Sequence, residues 1–150
     1  IGQDVFRSGL LQYWQGRCPL TGIADTPLLR ASHIISWKEC ATDAERLDVH
    51  NGLLLSALWD ATFDRGLVTF DDAGRPQFSP QLGEKARSEL RWEHPINLTD
   101  KHRVHLAWHR GHLFKQALCC MPNPSLSAGS SRVAEFITQI DQQEDPFVLC

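Results

Sequence analysis

The sequence predicts an α+β fold, on three observations. Val5, Phe6, Leu10, Leu11 and Trp14 recur at helical spacing near the start. The segment PLLRASHIISW alternates around β-tolerant residues and reads as a strand. Further on, SALWDATFDR reads as a short helix and is followed by LVTF-DDAGR-PQFS, a hairpin pattern with Gly74 in its turn.

Each element follows in order. GQDVFRSGLLQYWQG is an amphipathic helix that Gly16 can stop, and RCPLTG is a tight turn built on Pro19 and Gly22. In the strand that follows, Leu29, Ala31, His33 and Ile35 share one face. KECATDAERLDVHNG is polar and lacks sustained periodicity, so it reads as a loop with one helical turn at DAERL. Ser56 is placed to cap the next helix, and Gly66 lies beyond its end. QLGEKARSELRW and TDKHRVHLAWHRGHLF read as two more helices, the second with Thr99 as its cap. MPNPSLSAGSS has the composition of a linker, and Val133, Phe136, Ile137 and Ile140 then recur at helical spacing. The expected organisation is one domain over residues 1–120, with a linker and an amphipathic helix over 121–150 that docks back or meets a partner.

Composition narrows the class. With 150 residues, 42% hydrophobic and 22% charged, the chain can bury a real core. It has no apolar run long enough to span a membrane and no signal-peptide pattern, so a cytoplasmic location is expected. Its five cysteines include no CxxC pair, which argues against a disulfide framework or a four-cysteine zinc site. A net charge of −3 does not suit a free-standing basic DNA binder, so contact with nucleic acid would have to be local. Most of the 15 basic side chains are arginine, which suits bidentate phosphate contact; a genome rich in G and C would produce the same bias.

Residues able to carry chemistry gather between 31 and 66. Asp60 and Asp64 lie one helical turn apart in an otherwise apolar run, so both project from one face. Two oxygen ligands so placed can share a hard divalent cation, with water and phosphate completing its shell. A histidine opposite, here His33, can take a proton from water. Plainer readings exist as well: Asp60 as a carboxylate favoured by the helix dipole, and Asp64 as a partner of backbone or arginine.

ASHI, then NGLLL, then LWDATFDRG and LVTF together resemble an HNH endonuclease domain, in the branch found in restriction endonucleases and anti-phage defence nucleases. The resemblance runs over roughly residues 3–114, from the first helix and its RCPLTG turn to LAWHRGHLF. It implies a ββα-metal (His-Me finger) core, with an N-terminal helix and additional C-terminal helices around it. By position it implies His33 as general base, Asn51 as the residue that fixes the loop and orients His33, and Asp60 with Asp64 as metal ligands. Ser32 falls where many relatives carry a ligating Asp or His, which leaves the metal's full shell open.

The activity implied is Mg²⁺- or Mn²⁺-dependent hydrolysis of double-stranded DNA to 5′-phosphate and 3′-hydroxyl ends, since carboxylate ligation favours those ions over zinc. A structural zinc is not expected. Arg110, His109 and Ser32 are further candidates for contact with phosphate or DNA, Arg110 equally for a structural salt bridge. DNA is the expected partner, a homodimer would suit cutting of both strands, and the start at Ile1 suggests a recognition or sensor domain upstream. The rival is a non-catalytic module that keeps the scaffold for DNA binding or oligomerisation.

Overall fold

The structure, a computed structural model, describes residues 1–116. The expected linker and last helix, and the Cys119–Cys120 pair, lie outside the described residues. Helices and strands mix in the α+β manner, in the order α1 (Gly2–Tyr13), β1 (Leu29–His33), α2 (Asp43–Leu47), β2 (Gly52–Ser56), α3 (Ala57–Asp64), β3 (Val68–Phe70), β4 (Pro76–Phe78), α4 (Glu84–Glu89) and α5 (Asp100–His112).

Helix α1 buries Phe6 and Leu10, but Val5 from the expected apolar stripe is 56% exposed. The chain leaves α1 through Gln15 and Gly16, both at positive φ, and turns over Cys18–Ile23, where Cys18 N–H donates to the Ile23 carbonyl. Arg7 ties the helix to the start of β1 by donating to the carbonyls of Leu29 and Thr26.

Strands β1 and β2 pair antiparallel, with Leu29 opposite Ser56 and His33 opposite Gly52. All five residues of β2 are buried. A strand covered on both faces shows no alternation, which is why GLLLS alone did not announce itself as one. Helix α3 follows β2 without a loop and packs on β1 and β2. Ser56 takes the N-cap position, yet its side chain makes no capping hydrogen bond, so the expected cap holds in place but not in chemistry.

Strands β3 and β4 form the expected hairpin. Gly74 in its turn is at φ 78°, and a Cβ there would sit 1.9 Å from the Ile96 carbonyl oxygen. The two helices read after it are shorter than their sequence patterns, α4 in particular ending at Glu89. Thr99 caps α5 as expected: its hydroxyl accepts from His102 N–H while the His102 ring accepts from Thr99 N–H. One core joins these elements, with Phe6, Leu10, Leu53, Leu55, Trp59, Phe63 and Phe70 at its centre.

Candidate functional site

The loop from β1 to β2 is built by Asn51, which is fully buried. Its side-chain oxygen accepts from Ile35 N–H at 2.8 Å, and its amide nitrogen donates to the carbonyls of Ile35 at 3.3 Å and Glu45 at 3.2 Å. A buried amide so engaged pins the chain just after His33 to the short helix α2. The next carbonyl of α2, that of Arg46, accepts from His33 Nε2 at 2.8 Å. Arg46 is itself held by hydrogen bonds to the carbonyls of Trp37 and Cys40.

A carbonyl can only accept, so His33 carries its proton on Nε2 and leaves Nδ1 as the basic atom. Among the described residues Nδ1 has no hydrogen-bond partner. The ring stacks on Phe6 of α1, with centroids 3.7 Å apart, and meets Trp37 edge-on. Burial lowers its pKa below the ordinary histidine value of 6.5, and the bond to Arg46 offsets part of that. The side chain is therefore neutral near pH 7, as a general base must be.

Opposite His33 in the sheet is Gly52, where a Cβ would stand 2.5 Å from the Phe6 ring. The glycine leaves room for the ring that lies against His33. Neither Phe6 nor the Arg46 carbonyl was singled out by the sequence. Backbone groups leave no residue signature, and Phe6 was legible only as a core position.

Ser32 leaves β1 on the other side and donates a hydrogen bond to the Asp60 carboxylate on α3. Burial raises the Asp60 pKa above its ordinary value and the neighbouring Asp64 pushes the same way, while the Ser32 bond and Arg30 pull it down. Asp64 is exposed near the end of α3. Ser32, Asp60 and Asp64 thus form one group, while His33 and Asn51 are joined through the consecutive carbonyls of Glu45 and Arg46. Among the described residues, no three His, Cys, Asp or Glu side chains cluster as a ready-made metal cage.

The two candidates on α5 stand elsewhere. His109 is fully buried: Nε2 donates to the Phe63 carbonyl, Nδ1 accepts from the Thr69 hydroxyl, and the ring stacks on Phe63. Burial brings its pKa down to about 4. With both nitrogens engaged it has no atom to offer a phosphate, and the expectation of phosphate contact is corrected. Arg110 donates to the Phe70 carbonyl at 2.7 Å and to Asp72 at 3.0 Å, which makes it a brace for the hairpin rather than an open clamp. His50, next to Asn51, pairs with Asp48 at 2.8 Å.

Comparison with known proteins finds a matching family and a similar solved structure. Residues 18–71 match the family model described as HNH endonuclease, a span that holds β1, the pinned loop, β2 and α3. The match covers that segment, about a third of the chain. Among solved structures, a modification-dependent TagI restriction endonuclease is similar at 22% identity and a TM-score of 0.47, over 70% of this chain and 36% of that one. The chain thus spans little more than a third of that enzyme's length. No curated protein matches it. No helix among the described residues is long and apolar enough to cross a membrane.

Proposed function

We propose that this domain is a metal-dependent DNA endonuclease in which His33 activates the attacking water. The observation that carries the reading is the His33–Arg46 hydrogen bond, which sets the tautomer and leaves Nδ1 basic in a neutral ring. In this reading β1, β2 and α3 are the ββα-metal core. His33 Nδ1 takes the proton of a water in line with the scissile bond. Asn51 touches no substrate; it positions the loop whose carbonyl holds His33.

Asp60 would hold a divalent cation, Mg²⁺ or Mn²⁺, with Asp64 as second carboxylate. The fit rests on the two carboxylates placed one turn apart and on the field of Asp64 at Asp60, which favours any positive charge arriving between them. Such an ion, when bound, supplies stabilisation of the charge that develops on phosphate and on the leaving oxygen. Ser32 steadies the Asp60 carboxylate through its hydroxyl. Double-stranded DNA is the proposed substrate, with 5′-phosphate and 3′-hydroxyl products, and restriction or anti-phage defence the proposed setting. The same reading takes residues 1–120 as the nuclease domain.

The test is plasmid nicking in Mg²⁺ by the parent and by His33→Ala. The variant should keep the fold, seen by circular dichroism, and lose nicking. Full cleavage by a pure variant would sink the assignment. One observation favours the non-catalytic rival: Ser32 stands where a third ligand would strengthen the site, and no three-residue metal cluster exists among the described residues. Calorimetry with Mn²⁺ decides, since a pure binding module has no reason to take the ion.

A further inference from the structure

The face of β1 that carries Ser32 also carries Arg30. One residue separates them, so both side chains leave the strand on the side where Ser32 meets Asp60 of α3. Arg30 is exposed, and among the described residues its side chain forms no ion pair and donates no hydrogen bond. Four other arginines are committed to backbone or hairpin contacts. Arg7 is spent on the carbonyls of Leu29 and Thr26, Arg46 on those of Trp37 and Cys40, and Arg103 on those of Asp72 and Leu98. Arg110 is spent on Phe70 and Asp72.

Arg30 is also close enough to Asp60 for its charge to be felt there. A phosphodiester arriving at Asp60 and Asp64 meets two carboxylates on a chain whose net charge is −3, so it needs a local cation to be held before it can react. A guanidinium offers two parallel N–H donors matched to two phosphate oxygens.

We infer that Arg30 is the phosphate-binding side chain of this site, gripping the non-bridging oxygens of the phosphate to be cut. This rests on the nuclease reading above. It also gives a chain with no excess of positive charge a single local cation with which to hold DNA.

The experiment compares the parent, Arg30→Ala, Arg30→Lys and a charge control, Lys101→Ala, by two readouts. The first is binding to a short DNA duplex in EDTA over a range of salt; the second is plasmid nicking in Mg²⁺. Arg30→Ala should make the log–log salt slope shallower by about one, the share of a single phosphate contact. It should slow nicking by about 100-fold, as for loss of one preorganised donor at a transition state. Arg30→Lys should restore the slope but not the full rate, because an ammonium supplies the charge without the fork. Lys101→Ala should alter neither. Parent-like slope and rate in Arg30→Ala overturn the inference. Slower nicking with an unchanged slope also overturns it, because the arginine would then act on Asp60 and not on phosphate. A parent that neither binds nor nicks DNA overturns the nuclease reading itself, and that failure is seen in the parent, not in the variant.

Discussion

His33 Nε2 stands 2.8 Å from the carbonyl oxygen of Arg46, and that bond decides which nitrogen of the ring can act. Because burial keeps the imidazole below its ordinary pKa of 6.5, the ring proposed as the base is neutral near pH 7. Proton uptake removes it, so cleavage should be present above the folded pKa and fall as pH drops through it. The acid limb of the single-turnover rate should therefore lie below 6.5. A limb at or above that value would mean that another group limits the reaction.

Asn51 acts one step behind. Asn51→Ala strips partners from Ile35 N–H and from the Ile35 and Glu45 carbonyls, all in the loop that aims His33. Ile35 N–H is then left unpaired, while the Ile35 and Glu45 carbonyls keep Cys40 Sγ and Asp48 N–H as donors; an unpaired buried group costs about 1–3 kcal/mol. A net loss of about 3 kcal/mol is expected in urea melts. The rate should also fall at temperatures where the variant is still folded, which a purely structural residue would not cause.

The carboxylates are separable. Asp60→Asn should weaken Mn²⁺ binding by about tenfold or more in calorimetry, and nicking should fall with it. Asp64→Asn should do less, because Asp64 is exposed and has no hydroxyl to fix it as Ser32 fixes Asp60. An Asp60→Asn titration that overlays the parent's would remove Asp60 from the list of ligands. EDTA should abolish nicking by every active variant.

His102 and His109 give the fold an acid limit. Both are buried and both are held down to about 4, His102 by burial and then by the neighbouring His50, His109 by burial. As pH falls below 6.5 the unfolded chain binds protons that the folded chain refuses. The stability these residues contribute is thus complete above 6.5 and is lost towards 4, by a few kcal/mol in total. Urea midpoints measured between those limits should drop steadily; a flat profile would contradict the burial of both rings.

Much of the fold was legible because its signals are local. Thr99 sits next to the helix it caps, Gly74 lies inside the hairpin it permits, and the helical turn at DAERL carries its own cap in Thr42. What escaped depends on partners distant in sequence. The bond from Ser32 to Asp60 spans 28 residues, and the one from His109 to Thr69 spans 40. His109 and Arg110 drew attention as polar residues in a motif-like helix end, yet both are used to fasten α5 to the hairpin and the end of α3. Arg30 lies two residues before Ser32 on the face of β1 opposite Leu29, Ala31 and His33, where no motif position marks it.

Phe6 lies outside the segment that matches the family, yet its ring is the floor on which His33 rests. An excised fragment of residues 18–71 would keep every titratable group assigned to the chemistry and lose that floor. Its histidine would be wetter, freer to rotate and easier to protonate. If His33 is the base, the minimal working unit is therefore larger than the motif: α1 is a machine part of the proposed nuclease, and whatever pulls on that helix reaches His33 through a single aromatic ring.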